Sequence, residues 1–461
     1  MTLEGPTRSG GAVGRFMSNY GMLAVLVLLC AFFSWVTVQE QQRSGTDAAA
    51  VLARDLEGAG PLPARVLIVA GTGEEDARFA DALAQRLSAK GVEVAGKVQG
   101  EPRDVRKAIQ EIVDASGRID VVATTRQCAD WPLLGDLGAA FPSLADARVR
   151  VPASYTWPTF LNTENLRNVA SQIVVIAVIA IGMTMVIITG GIDLSVGSLV
   201  ALSAVVVAWL IRRMGGEAAT GPAMVLASVG AVLACGAVGA FSGLVITVFR
   251  IPPFIATLAM MQVASGLAFL ITQGQSIYQI PDSFVWLGRG ADLLGIPNAV
   301  LLMVVLYAAA YVLMSRTVLG RYIYAVGGNA EATRLSGIRV RGVIVFVYVV
   351  SGLAAGLGGV VTASQLKSGA PSYGLMYELY VIAAVVVGGT SLAGGEGKIL
   401  GTLIGALIIA VIWNGMNLTG VEGYTQKVVL GLVILTAVLL DMLKKRSWPW
   451  RLLRRQARPA A

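Results

Sequence analysis

Residues 173–211 read IVVIAVIAIGMTMVIITGGIDLSVGSLVALSAVVVAWLI, and this stretch decides the fold class. Two apolar runs flank the short polar segment GGIDLS, and an apolar helix of roughly 20 residues crosses the hydrocarbon core of a bilayer. The pattern therefore predicts two membrane-spanning helices with an interruption between them.

Eight further apolar runs recur along the chain, so we expect a polytopic α-helical membrane protein of about ten transmembrane helices. The third and the eighth of the ten runs are short for a full crossing. The predicted helices cover residues 20–39, 169–189, 196–211, 223–248, 254–273, 299–315, 343–363, 375–388, 399–417 and 425–441.

The composition excludes several classes of protein. Of the 461 residues 55% are hydrophobic and only 14% are charged, with a mean hydropathy of +0.70, whereas soluble proteins carry about 25% charged residues. Histidine is absent and the three cysteines are isolated, which excludes a Ser-His-Asp triad and the usual zinc sites. We therefore expect no catalytic residue, no metal site and no cofactor.

The basic residues predict the orientation. The first apolar run is longer than that of a signal peptide and lacks a small-residue cleavage site, so we interpret it as a retained anchor. With ten crossings both termini share a side, and 16 basic residues fall on that side against 4 in the short loops opposite. Lys and Arg concentrate in cytoplasmic loops. Both termini are thus expected in the cytoplasm, although Arg212 and Arg213 fit this orientation poorly.

Residues 40–160 differ from the rest of the chain. They hold 17 acidic and 14 basic residues, and short β-branched runs alternate with segments of helical periodicity between Arg65 and Arg150. This pattern predicts a small α/β domain with a parallel sheet, inserted after the first helix on the extracytoplasmic side. Residues 41–62 and 153–166 are expected to be its tethers, and the GTGEE segment at Gly71 to be a turn before a helix rather than a phosphate loop.

The GGIDLSVGS segment places polar groups between two crossings. Gly190 and Gly191 can break a helix, and Asp193 and Ser195 then lie at or near membrane depth, where a carboxylate is costly. Two interpretations remain open, and both can hold at once. In the first, these residues belong to a pore or gate. In the second, the side chain of Asp193 or Ser195 caps the next helix.

A second segment, GGTSLAGG at residues 388–395, also follows an apolar run. Aligning it with GGIDLSVG at an offset of 198 matches four of eight residues, and duplicated broken helices often mark a transport path. The polar candidates for that path are Thr390 and Ser391, together with Asn414 and Asn417 on the ninth helix. For each hydroxyl, an internal bond to a backbone carbonyl is the alternative.

The loop at residues 315–342 reads SRTVLGRYIYAVGGNAEATRLSGIRVRG. It carries five arginines and a short helix-capable segment bounded by Gly328 and Gly337, with Asn329 as the expected N-cap. A simple connector needs far fewer residues. The pattern is typical of an element displayed for a partner on the cytoplasmic side.

Four motifs in consistent order over roughly residues 169–441 resemble the permease subunits of ribose-type monosaccharide ABC importers, in the branched-chain amino acid/ribose permease superfamily. They are GGIDLSVGSLVALSA, PPFIATLAMM, GRYIYAVGGNAEATRLSGI and GGTSLAGGEGKILGTLIGALIIAVIWNGMNL. The resemblance implies a homodimeric permease in a bacterial inner membrane, working with a cytoplasmic ATPase and an extracytoplasmic solute-binding protein. It also implies an ATPase-coupling loop, to which we assign Gly327, Gly328, Asn329, Glu331, Ala332, Arg334 and Gly337.

The resulting domain division is a cytoplasmic N-terminus with the first helix at 1–39, the inserted domain with its tethers at 40–160, a permease core of nine helices at 161–441 and a basic cytoplasmic tail at 442–461. The tail carries two tryptophans and suits anionic lipid headgroups rather than nucleic acid. The chain has no Walker A motif, so a permease without an ATPase site is expected. The alternatives are a secondary transporter or channel that uses Asp193, an importer of an amino acid or nucleoside, and a ligand sensor built on the inserted domain.

Overall fold

A computed structural model describes residues 12–58, 63–115 and 118–445. The chain forms two compact units: residues 38–159 make one, and the segments on either side of them make the other. We call them the inserted unit and the helical unit. Arg8, Pro61 and most of the basic tail, including both of its tryptophans, lie outside the described residues.

The first helix, α1 (Ala12–Val36), ends earlier than expected and a strand starts at Val38. Thr37 marks the end of the helix: its hydroxyl donates to the carbonyl oxygen of Phe33 at 2.6 Å and accepts from the Phe160 N–H at 3.1 Å. Predicting this boundary requires Phe160, which is remote in sequence.

The inserted unit alternates strands with helices between Arg65 and Thr124, in the order of the apolar and amphipathic segments. Its elements are β1 (Val38–Gln41), α2 (Gly45–Gly58), β2 (Arg65–Ala70), α3 (Glu74–Ser88), β3 (Glu93–Gln99), α4 (Pro102–Asp114), β4 (Val121–Thr124), α5 (Arg126–Ala129), α6 (Pro132–Gly135), α7 (Leu137–Ala140), β5 (Arg148–Arg150) and β6 (Tyr155–Pro158).

Four of these strands form one sheet in the order β3-β2-β4-β5, and every pair in it is parallel. Because β2 and β4 are buried, alternate side chains enter a separate apolar cluster on each side of the sheet. Strands β1 and β6 pair with each other in antiparallel register, Gln41 opposite Tyr155. The two ends of the inserted unit therefore lie side by side.

The expectation of tethers at 41–62 and 153–166 is wrong for much of both segments. Helix α2 buries Ala48, Ala49, Leu52, Ala53 and Leu56 in the same apolar cluster as α3. These residues recur at helical spacing, but three of the five are alanines, whose short side chains give a weak hydrophobic signal, and only the packing against α3 reveals their role. Residues 155–158 form β6, and residues 163–166 already belong to the next helix.

The GTGEE segment turns from β2 into α3. The Asp76 carboxylate lies against the backbone of Gly71 and Gly73, where a Cβ at Gly71 would stand 2.7 Å from Asp76 Oδ2. A carboxylate of the chain therefore occupies the positive start of the helix, where a phosphate would otherwise bind.

In the part of the chain that the structure describes, the helical unit continues with twelve α-helices after the inserted unit. Among the described residues, seven helices are long and apolar enough to cross a membrane, and three shorter apolar segments lie at Gly21–Val36, Tyr377–Val387 and Gly423–Thr436. The helices are α8 (Thr163–Ile188), α9 (Val196–Arg213), α10 (Gly221–Phe249), α11 (Pro253–Thr272), α12 (Trp286–Arg289), α13 (Asn298–Arg316), α14 (Val318–Gly328), α15 (Ala330–Leu335), α16 (Val340–Leu366), α17 (Tyr377–Val387), α18 (Ile399–Leu418) and α19 (Gly423–Lys445).

Glycines let the central helices of this unit touch by backbone. A Cβ at Gly356 of α16 would stand 2.9 Å from the Cα of Val232 on α10, and one at Gly182 of α8 would stand 3.0 Å from the Ser351 nitrogen of α16. Helix α16 thus lies between α8 and α10, packed through small residues as membrane helices commonly are.

Candidate functional site: the two helix breaks and the loop beside them

The first break follows α8. The N–H groups of Gly190 and Gly191 donate to the carbonyls of Ile187 at 2.9 Å and Val186 at 3.0 Å, and Gly190 has a φ of 80°. This is the Schellman arrangement, which requires a left-handed residue just after a helix. Glycine adopts that conformation without steric cost.

Asp193 lies beyond this break and is 1% exposed. One carboxylate oxygen accepts from the backbone N–H and the hydroxyl of Ser195, at 3.0 and 2.6 Å, and the other accepts from the Ser351 hydroxyl of α16 at 2.7 Å. Neither side chain caps α9 in the usual way, because Ser195, the N-cap residue, donates its hydroxyl to Asp193 instead. Asp193 therefore ties the broken segment to α16.

The second break follows α17 and has the same backbone geometry. Gly389 has a φ of 86°, and the N–H groups of Gly389 and Thr390 donate to Val386 at 2.9 Å and Val385 at 3.1 Å. Gly389 thus corresponds to Gly190, which corrects the offset of 198 to 199. The sequence alone does not reveal this correspondence, because both segments contain Gly-Gly. Only the backbone torsion shows which glycine of each pair is left-handed.

The two breaks meet each other and the end of α14. The Gly395 N–H donates to the Ile188 carbonyl at 2.8 Å, and the Tyr324 hydroxyl of α14 donates to the Gly397 carbonyl at 2.8 Å. A Cβ at Gly327 would overlap the Ile188 carbonyl oxygen and stand 2.6 Å from the Gly395 nitrogen. We call this meeting of Ile188, Gly327 and residues 394–397 the glycine junction.

Beside the junction, α15 is exposed along most of its length. Asn329 is its N-cap, as expected, with its side-chain oxygen accepting from the Ala332 N–H at 2.9 Å. Glu331 and Arg334 form a solvent-exposed ion pair of 2.5 Å, and the hydrogen bond and charge of Arg334 lower the pKa of Glu331. Gly337, with a φ of 84°, ends the segment. The loop therefore contains a short helix with a capped start and an exposed ion pair, and this helix follows Gly327, which is closely packed in the glycine junction.

The remaining candidates for the transport path are either buried within the second break or lie far from both breaks. Thr390 is 1% exposed and packs against Gly397, and the Ser391 N–H donates to the Glu396 carbonyl at 3.0 Å within the second break. Asn414 pairs with Asn165 through bonds of 2.8 and 3.0 Å, far along α18 from the breaks. Asn417 accepts from Gln426 at 2.7 Å. The structure therefore does not bring the two asparagines to the breaks.

One polar residue was missed by the sequence argument. Glu378 lies in the first turn of α17, and its carboxylate packs against Gly197 at the start of α9. The signal was present, because an acid inside the predicted crossing 375–388 is as costly as Asp193. Glu378 is thus an acidic side chain within a predicted crossing, and it is half-buried, whereas Asp193, between two predicted crossings, is fully buried.

Comparison with known proteins identifies the family of the helical unit. Residues 165–438 match the family model described as branched-chain amino acid transport system / permease component. The chain belongs to this family. It is a membrane permease, and the inserted unit falls outside the matched residues.

The chain is also similar to curated transport proteins. It is 46% identical over 293 residues to the ribose import permease protein of Escherichia coli (strain K12), covering 62% of this chain and 88% of that protein. The ribose import permease protein of Bacillus subtilis (strain 168) is 46% identical over 289 residues, or 62% and 87% of the two chains. An L-arabinose ABC transporter permease protein of Azospirillum brasilense is 39% identical over 294 residues, or 64% and 84%. No solved structure gives a significant match.

Proposed function

We propose that this permease passes a monosaccharide inward as the membrane subunit of an ABC importer. The observation that carries the proposal is the 46% identity to the ribose import permease of Escherichia coli over 293 residues. Both helix breaks and the loop between them lie within the family match at residues 165–438. A cytoplasmic ATPase supplies the energy, and an extracytoplasmic solute-binding protein supplies the sugar.

The glycine junction supports a mechanism for this coupling. The exposed helix α15 offers the charged pair Glu331 and Arg334 to the ATPase, while Gly327, three residues before α15, packs without a gap against Ile188 and Gly395. Because packed backbones are poorly compressible, a displacement of α15 by the ATPase moves the ends of α8 and α17. Those movements open and close the path alternately.

The proposed orientation puts α15 and both termini in the cytoplasm and the inserted unit outside the bacterial inner membrane. The seven long apolar helices together with the three shorter apolar segments would supply the ten crossings, in one of which the 11-residue α17 covers about half of the bilayer core. The arginines around α15 support this orientation. Arg212 and Arg213, which fit it poorly, occupy the last turn of α9, where the helix dipole favours a positive charge.

The assembly we propose contains a second copy of the permease, with membrane lipid around it, as the family resemblance implies. The alternative of an ion-coupled transporter that uses Asp193 loses support, because its carboxylate is fully buried and accepts three hydrogen bonds from neighbouring serines. Such bonding suits a structural tie better than a group that binds and releases an ion.

The test compares two double variants with the same chemical change. Glu331→Arg with Ala332→Arg alters α15 and breaks its ion pair, whereas Glu217→Arg with Ala218→Arg alters an exposed Glu-Ala pair in the turn between α9 and α10. We expect the ATPase to co-purify with the wild type and with the Glu217 variant, and to be lost from the Glu331 variant. Retention by the Glu331 variant, at equal membrane insertion, contradicts α15 as the docking element.

A further inference from the structure

A cavity of about 300 Å³ lies where the start of α9, the middle of α11 and the segment before α17 meet. Its lining has more polar groups than the linings of the two larger cavities described below, and it includes two aromatic rings. The residues that matter are Ser198 on α9, Gln262, Ser265 and Phe269 on α11, Tyr373 in the preceding segment, and Glu378 on α17.

This cavity lies at about the mid-depth of the helical unit and is open at one face, where Gln262 and Phe269 are exposed. Helix α17 has 11 residues, about 16 Å at 1.5 Å per residue, which is half of a bilayer core of about 30 Å. Helix α9 starts beside Asp193, which bonds to Ser351 near the middle of the 27-residue helix α16. Because Glu378 in the first turn of α17 packs against Gly197 at the start of α9, both broken helices begin at mid-depth, and their starts line the cavity.

The Glu378 carboxylate is held at this position. It packs against Gly197, where a Cβ would overlap it, and thus faces the positive start of α9. It takes part in no ion pair within the described chain. A carboxylate without a cationic partner at this depth is costly, and it can accept hydrogen bonds from two hydroxyl groups at once.

Two larger cavities of the helical unit do not suit a polar solute. One, of about 400 Å³ between α8, α10, α13 and α16, is lined entirely by aliphatic residues. The other, of about 510 Å³ beside α10, is nearly all apolar, with Ser228 and Ser283 as its hydroxyl groups. A volume of about 300 Å³ is at the lower end of small-molecule pockets, which fits one monosaccharide.

We propose that this cavity is a sugar-binding station on the transport path, with Glu378 as its principal hydroxyl acceptor. Gln262 and the serines supply further hydrogen bonds, while the rings of Tyr373 and Phe269 pack against the C–H face of the sugar. The Tyr373 hydroxyl is engaged with Ser368 at 2.5 Å, which fixes its ring in place. The inference rests on the proposed sugar import and adds the residues that contact the solute.

The test measures uptake of radiolabelled D-ribose and L-arabinose into proteoliposomes that contain the permease, its ATPase and its solute-binding protein. Glu378→Gln is compared with Glu422→Gln, the same change at an exposed acid in the turn before α19. At equal amounts of assembled complex, we expect Glu378→Gln to lower ribose uptake about tenfold, the loss expected for one charged hydrogen bond, and to change the ratio of ribose to arabinose uptake. The control should stay within about twofold of wild type.

The outcomes separate the two proposals. If the wild type takes up neither sugar, the proposed sugar import is wrong for these pentoses whatever Glu378 does. If the wild type transports and Glu378→Gln matches it in both rate and sugar ratio, the binding station is wrong. Should Glu378→Gln fail to assemble, Gln262→Leu decides, because Gln262 is exposed on α11 and its loss should leave assembly intact. Unchanged uptake by Gln262→Leu overturns the proposal.

Discussion

At the residue scale, two adjacent glycines of the coupling loop have opposite surroundings. Gly327 lies against backbone atoms of Ile188 and Gly395, whereas among the described residues no heavy atom comes within 4 Å of a Cβ placed on Gly328. Neither has a positive φ. The difference between them is therefore one of space alone, which makes the pair a matched test of the glycine junction.

Gly327→Ala should destabilise the permease, because a methyl group at this position forces backbone atoms apart. We expect a loss of about 3 kcal/mol, at the upper end of overpacking costs, and a melting temperature in detergent lower by about 5 °C or more. Gly328→Ala is the control and should melt within about 1 °C of the wild type. Equal melting temperatures of the two variants would show that the backbones around Gly327 can separate at little cost.

Ser351 tests the tie between the first break and α16. Removing its hydroxyl by Ser351→Ala leaves one oxygen of the buried Asp193 carboxylate without its 2.7 Å donor. An unsatisfied buried group costs about 1–3 kcal/mol. We expect a lower melting temperature for Ser351→Ala and no change for Ser336→Ala, whose exposed hydroxyl merely donates to the Ala332 carbonyl. A stable Ser351→Ala variant would mean that Asp193 does not depend on this bond.

At the scale of elements, the two breaks have the same backbone geometry but contact different parts of the helical unit. Both end a helix with a left-handed glycine, but the chain after Gly191 enters the bundle and bonds to α16, whereas the chain after Gly389 folds onto Gly327 and Ile188. The first break therefore places Asp193 and the start of α9 at the mid-depth of the helical unit. The second break connects the coupling loop to the end of α8.

The cap of α15 should control docking of the ATPase. Asn329→Ala removes the acceptor of the Ala332 N–H, a loss of about 1 kcal/mol for a helix of only six residues. We expect weaker co-purification of the ATPase with Asn329→Ala and recovery with Asn329→Asp, which keeps an acceptor. If alanine and aspartate behave alike, the order of α15 does not limit docking.

At the scale of the whole molecule, the inserted unit has the features of a domain that can be removed without disturbing the permease. Its first and last strands, β1 and β6, pair with each other, so both connections to the helical unit leave from neighbouring points. It has apolar clusters of its own on both faces of its sheet, and the family match begins at residue 165, beyond it.

Replacing residues 42–154 by a short Gly-Ser turn should therefore leave a β1–β6 hairpin and an intact helical unit. We expect this variant to insert and to co-purify with the ATPase within about twofold of wild type. The separate fragment 38–159 should unfold cooperatively when followed by circular dichroism. Loss of the ATPase from the excised variant, with insertion intact, would show that the helical unit depends on the inserted unit.

The sequence by itself determined the membrane class, the α/β character of the insertion, the cap at Asn329 and the motifs that carry the family resemblance. Each follows from local pattern: hydrophobic run length, periodicity of two or 3.6 residues, or the chemistry of one helix end. Only the tertiary structure decided that Ile188, Gly327 and Gly395 belong to one junction and that Gly389, rather than Gly388, corresponds to Gly190. It alone showed α2 as part of a core and Glu378 beside Gly197. These relations depend on backbone torsion and on contacts between residues far apart in the chain, which local patterns do not encode.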